Sequence, residues 1–527
     1  MRAQRIIILP AVLAMLASCG GGSGGGIGPA PPQPPPFTSV PQVRVSQAST
    51  FAPNCDGVAS TGTLYVNTAA EPFLAVSRVN SMNFVAAWQQ NRWSDGGAQG
   101  LNLAASSDGG QTWTLSNAPF SRCTGGTSAH GGDYARATDV WLSAAPNGTM
   151  YALSLSFTGA SLTPGSSSAM LVAQSTDGGF HWSDPIALIQ DGAQFFNDKG
   201  SITADPGNAS FAYAVWDRLT GQTAGPSYFA MTSNAGISWQ PARSIYDPGT
   251  NKQTLGNQVV VLPNGNLLDV FTELDTATGG AVTASVRVTQ SLDKGTTWST
   301  PPVLVSSLQA VGTTDPRNGA VVRDGADLVS ISVSPGGVVY VAWQDSRFSG
   351  GQRDGIALAQ SSDGGVTWSA PVQVNADTTV QAFTPTIHVR ADGAIAVTYF
   401  DLRNNMFAGL FLTDCWMVVS SDGGTTFHES HLSGPFDLNL APDSEGLFLG
   451  DYESLTSANG VFLPFYVQTD AGTAVRSDAF ISFPPVTAAA AGFQPQPAAA
   501  GMALAPAATQ RVMERIRLTQ RQRLLGH

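Results

Sequence analysis

The chain has 527 residues, a formal net charge of -12 and only 12% charged residues, against about 25% in ordinary soluble chains. With 57 glycines and 33 prolines, this composition disfavours a mainly helical protein and favours short strands joined by tight turns. The acidic balance persists despite a basic C-terminal stretch, which argues against nucleic acid as a partner.

The first element is a targeting pattern. Arg2 and Arg5 precede an apolar stretch from Ile6 to Ala17 that is too short to span a bilayer, and Leu16-Ala17-Ser18-Cys19 follows at once. Those four residues resemble a bacterial lipobox. The resemblance implies removal of residues 1–18, lipid on the Cys19 thiol, and an exported protein anchored to an envelope membrane, at the outer membrane or cell surface. Residues 20–39, a glycine run and then a proline run, suit a tether that stands a domain off that membrane. Export permits disulfides. Cys55 and Cys123, in loops flanking the first repeat, are expected to pair, and Cys415, inside the apolar run LFLTDCWMVV, to stay a buried thiol. The six histidines do not cluster, and His428 with His431 reads as a pair of solvated side chains, so no metal site is expected from them.

From residue 106 onward one octapeptide recurs: SSDGGQTW (106–113), STDGGFHW (175–182), TSNAGISW (232–239), SLDKGTTW (291–298), SSDGGVTW (361–368) and SSDGGTTF (420–427). Its chemistry is that of a turn. The Asp can accept backbone N–H groups, the fifth-position Gly can take positive φ, and the terminal aromatic can anchor between sheets. Asp108, Asp177, Asn234, Asp293, Asp363 and Asp422 are therefore expected to be structural. Upstream of each copy lie two apolar strands around a short turn, as in LAVSRVNSMNFVAAW and LVSISVSPGGVVYVAW, and a further hairpin, YESLTSANGVFLPFYV, stands at 452–467 without a following octapeptide.

Successive octapeptides start 57 to 70 residues apart, the length of a four-stranded β-propeller blade with variable loops. An all-β fold follows: a single propeller over residues 40–484 with seven four-stranded blades, the last completed by a strand near residues 474–483 and closed by the N-terminal strand Val40 to Ser46. Six blades with an irregular final segment is the alternative. Residues 485–527 form an Ala/Pro-rich linker and then QRVMERIRLTQRQRLLGH, whose apolar spacing allows a basic amphipathic helix for a membrane surface or a partner. A frayed, solvated tail is the favoured reading of it.

The octapeptide resembles the Asp box, or BNR repeat, of sialidases and related propellers, and the resemblance runs over about residues 65–485. The stretch EPFLAVSRVNSMNFVAAWQQNRW together with FLGDYESL is similar to exported bacterial proteins grouped as sialidase-like or BNR-repeat glycosyl hydrolases. In that architecture chemistry gathers where the innermost strands begin, which nominates Glu71, Asp451 and Tyr452 as catalytic candidates. The loops after the second strands nominate Arg92, Trp93, Arg218, Asp345, Arg347, Asp401 and Arg403 for ligand binding. Sialidases clamp a carboxylate with three arginines and use a Glu-activated Tyr and an Asp. Here Glu71 precedes Pro72 in NTAAEPFLAV, where the first clamp arginine of an Arg-Ile-Pro motif is expected.

The resulting expectation is a monomeric protein that binds a glycan or another polar ligand at its central face, with glycoside hydrolysis resting on Asp451, Tyr452 and Glu71. The rival is a non-catalytic interaction scaffold, favoured if each Arg is neutralised by a neighbouring Asp. No cofactor is required, although Glu71 and Asp451 facing each other across a channel would suit a cation such as calcium.

Overall fold

The computed structural model describes residues 40–470, 476–485, 492–498 and 504–525. The signal, Cys19 and the tether lie outside them. Among the described residues the chain is almost entirely β, built from consecutive antiparallel sets of strands. The inner strands, each the first of its set, are β1 (Leu64–Val76), β2 (Arg136–Ala144), β3 (Phe195–Ala204), β4 (Lys252–Val261), β5 (Val329–Val333), β6 (Ala382–Val389) and β7 (Ser454–Ala458). β3 shows the pattern: it pairs with Ala212–Thr220, which pairs with Ser227–Thr232, which pairs with Arg243–Tyr246.

Every inner strand lies beside the inner strand of the next set, and β7 lies beside β1. The last set takes its outer strand from the other end of the chain: Gln42–Arg44 pairs antiparallel with Ser477–Ser482, Val43 opposite Ile481. Stacking buries both faces of the second strands. Val339–Asp345 and Ile395–Asp401 are buried at every position, so these strands read as near-continuous apolar runs rather than alternating ones.

The octapeptides are turns, as their chemistry requires. Asp108 Oδ1 accepts the backbone N–H groups of Gln111 and Thr112, both at 3.0 Å, and Oδ2 accepts Thr112 Oγ1 at 2.6 Å. Asn234 keeps the same geometry, with Oδ1 accepting Ser238 N at 3.0 Å. The fifth-position glycine serves two needs at Gly179: its φ is +91°, and a Cβ there would lie 2.4 Å from Val85 of the preceding set. The box therefore sits against the neighbouring sheet, and Trp182 packs with that apolar cluster.

Cys55 and Cys123 form a disulfide with Cα atoms 4.9 Å apart, and Cys415 is a buried thiol. His431 is no solvated side chain: it is largely buried, and its Nε2 lies 2.8 Å from Asp414 Oδ1. The tail also departs from the frayed, solvated reading. Gln496–Pro497 pairs with Val372–Gln373, and helix α1 (Pro506–Leu525) follows. Its stripe Ala508, Val512, Arg515, Ile516, Thr519, Gln522 and Arg523 is buried because Val512 and Ile516 join the apolar cluster of the fourth and fifth sets and the two arginines meet carboxylates.

Candidate functional site

The site is built where inner strands begin. Several of them carry a β-bulge there, and the bulged residue takes a left-handed conformation: Glu71 at φ 49°, Asp139 at 54°, Lys199 at 41° and Thr384 at 51°. Gly256, at φ 67°, occupies the same place in β4, and Gly325, at 59°, lies just before β5. Such backbone is costly for residues with a Cβ. It turns Glu71, Asp139 and Lys199 toward one point, to which Asp451, before β7, and Arg323, before β5, also reach.

Lys199 Nζ lies 2.7 Å from Asp451 Oδ2, 3.2 Å from Asp139 Oδ1 and 3.5 Å from Glu71 Oε1. Arg323 grips the same Asp451 with two bonds, Nε to Oδ1 at 3.1 Å and Nη2 to Oδ2 at 2.7 Å. Gln89 donates to Glu71 Oε2 and, at 2.6 Å, to Thr138 Oγ1. Arg92 donates to Gln89 Oε1 at 2.7 Å and, with Arg323, lies over the Phe448 ring. Tyr452 donates its hydroxyl to Val140 O at 3.1 Å.

The electrostatics follow from burial. Desolvation pushes Glu71 up to about 8, against the opposing pull of Lys199. Asp451 is held well below the usual carboxylate range by Arg323 and Lys199, which overcome its burial. The three carboxylates hold Lys199 firmly protonated despite burial. Tyr452 is pushed well above its usual value by burial and by Glu71, Asp139 and Asp451. Its phenol donates to the Val140 carbonyl and also lies within hydrogen-bonding reach of the Glu71 carboxyl.

Glu71, Asp451 and Tyr452 are therefore together, with Arg92 beside them. The other nominated residues are dispersed on the rim and paired locally. Arg347 is bidentate to Asp345, at 2.9 and 2.7 Å. Arg403 binds Asp401 at 2.7 Å and Glu429 at 2.7 Å while stacking on Trp416. Arg218 binds Asp191 between Phe195 and Tyr228, and Trp93 lies under Arg136. Lys199 Nζ fills the space between the acids where a calcium ion was envisaged. Among the described residues no His/Cys/Asp/Glu group is arranged to hold a metal ion.

Beneath the Lys199–Asp451 layer lies a chamber of about 170 Å³. One wall is aromatic: Phe73, Trp141 and Tyr452, with ring centroids 4.2 and 5.5 Å apart in succession. The lining also carries Gln258, Ser330, Ser332, Thr386 and His388; Gln258 and Thr386 donate to backbone carbonyls, Ser330 and Ser332 accept backbone N–H groups, and His388 meets Ser457. Burial and the charges of Arg78 and Arg390 push His388 down to about 4, so its imidazole is neutral at pH 7. The chamber shares Phe73, Trp141, Gln258, Ser332 and His388 with a wide funnel of about 1200 Å³ that opens among the hairpin turns.

Arg323, Arg515 and Arg523 were not anticipated from sequence. Arg323 precedes a short strand without the bulge pattern of its neighbours, and the helix arginines pair with acids some two to three hundred positions upstream.

Residues 213–444 match the profile of the BNR repeat-like domain family. No curated protein matches the chain in sequence. Among solved structures, a Dyadobacter fermentans protein of unknown function is 15% identical, with 85% of this chain and 99% of that one covered at a TM-score of 0.45. A Penicillium chrysogenum α-L-arabinanase complexed with arabinobiose is 13% identical, with 85% and 98% covered at a TM-score of 0.44. A Hadza microbial sialidase is 14% identical, with 84% and 95% covered at a TM-score of 0.43. The profile match places a BNR repeat-like domain over residues 213–444, and together with the six Asp-box turns it supports a sialidase-like BNR-repeat family for the chain.

Proposed function

We propose that the consecutive sets close into a seven-bladed ring, exported and membrane-anchored through Cys19, that binds a carbohydrate or another polar small ligand in the axial chamber. The observation that carries this reading is the chamber's mixed lining. A sugar presents apolar C–H faces and hydroxyl edges. The Phe73, Trp141 and Tyr452 wall suits the first, and the polar lining of Gln258, Ser330, Ser332, Thr386 and His388 suits the second. The funnel supplies a way in.

A second reading, an interaction scaffold without turnover, is favoured by the neutralised arginines. Arg218, Arg347 and Arg403 each spend their guanidinium on neighbouring acids, and none is left to clamp a substrate carboxylate.

The test is titration of the full chain with a glycan panel that includes sialosides and arabino-oligosaccharides, beside fluorogenic glycosides for turnover. Binding is expected for at least one member, weakened tenfold or more by Trp141→Ala at an unchanged thermal melt. A silent panel, or equal binding by the variant, moves the assignment to the scaffold. The anchor is tested separately by membrane fractionation. Cys19→Ala is expected in the soluble fraction, and its retention on membranes removes the lipid from the reading.

A further inference from the structure

On the other side of the Lys199–Asp451 layer, α1 seats two arginines in sockets that the sheets supply. Arg523, 1% exposed, donates Nε to Asp198 Oδ2 at 2.9 Å, Nη1 to Gln253 Oε1 at 2.8 Å, and Nη2 to Asp217. Arg515 donates Nη2 to Asp324 Oδ1 at 2.9 Å, and between the two arginines Thr519 donates to Asp327.

The sockets call for cations by their own construction. Asp198 and Asp217 are direct cross-strand partners and fully buried. Two buried carboxylates so placed repel each other and have lost their hydration, and a cation between them offsets both costs. A guanidinium, flat and with divergent N–H groups, meets both acids and the Gln253 amide at once, which a single ammonium does not. Arg515 and Arg523 fall on one buried stripe, about 12 Å apart along a helix axis. One socket is incompletely filled: Arg515 Nε and Asp327 Oδ1 are buried without a hydrogen-bond partner among the described residues.

We infer that this face is a binding site for arginine-bearing peptides, reading two guanidinium groups about two helical turns apart, with α1 as its resident and displaceable occupant. The pairing of Gln496–Pro497 with Val372–Gln373 holds the base of the tail, so α1 stays at high local concentration and a free peptide competes poorly until the latch is weakened.

The experiment uses the full chain and a fluorescent peptide copying residues 504–525. The Arg515→Ala/Arg523→Ala chain is expected to bind it saturably and at least tenfold more tightly than the unaltered chain. Replacing both arginines of the peptide by alanine, or adding Asp217→Asn to the chain, is expected to weaken binding at least tenfold. Hydrogen exchange of the inner strands shows whether the double variant keeps its sheets; if it does not, the Arg515→Gln chain is titrated against the same two peptides. Absence of saturable binding to a chain with intact strand protection overturns the inference, as does equal affinity for the alanine peptide.

Discussion

Glu71 shows how one residue can depart from a family pattern and still be explained locally. It stands where the resemblance to sialidases leads one to expect an arginine, and Lys199 and Gln89 accommodate the acid. In the unfolded chain it loses its proton near 4.5, and in the fold near 8. Between those values the folded state holds the extra proton, so this group's contribution to stability is complete below about pH 4.5 and lost as pH rises through about 8. A Glu71→Gln chain keeps the volume and removes the titration. Its melting temperature relative to the unaltered chain is expected to climb from pH 5 to pH 8, and a difference independent of pH would show that Glu71 is ionised throughout. At this scale the nomination of Glu71, Asp451 and Tyr452 was legible because inner-strand starts can be located from the hairpins. The Lys199 ammonium among the acids was not, because which of several adjacent side chains turns inward depends on a left-handed bulge that no propensity encodes.

At the scale of elements, the Asp boxes carry an acid sensitivity of opposite sign. Hydrogen bonds from box backbone and hydroxyl groups pull Asp108 and Asp363 down to about 2, led in each by the neighbouring Thr, and those from His181 and Ser175 pull Asp177 down to about 2 despite some desolvation. Their stabilisation is present above the unfolded value near 4 and disappears as pH falls toward 2. Asn234 demonstrates that an amide can hold the same turn. The combined Asp108→Asn, Asp177→Asn and Asp363→Asn chain is therefore expected to unfold less steeply between pH 4 and 2 in urea titrations, and an unchanged slope would remove the boxes from the acid response. The boxes were readable because their bonds are local, spanning three or four residues. Helix α1 was misjudged for the converse reason. Its arginines look like a solvated face until Asp198, Asp217 and Asp324, remote in sequence, are brought against them.

At the scale of the whole molecule, the hairpins read from the sequence correspond to paired first and second strands of the described sets, and Gln42–Arg44 pairs with Ser477–Ser482 where an outer strand from the N-terminal side was expected. What stayed illegible was which face lies open. The inner-strand starts, where ligands were expected, are roofed by the tail, while the chamber is reached from the hairpin-turn side. The closing strand also bears on how such a chain matures. Val43 is among the first described residues to be synthesised, and its partner Ile481 is among the last. The last set therefore lacks its outer strand until both segments are present. Contacts of such sequence separation are slow to form, and until this one forms, the edge of the final sheet stays available to any passing strand. A chain lacking residues 42–44 is thus expected to present the Ser477–Ser482 edge to other strands, and to self-associate where the unaltered chain does not, by light scattering.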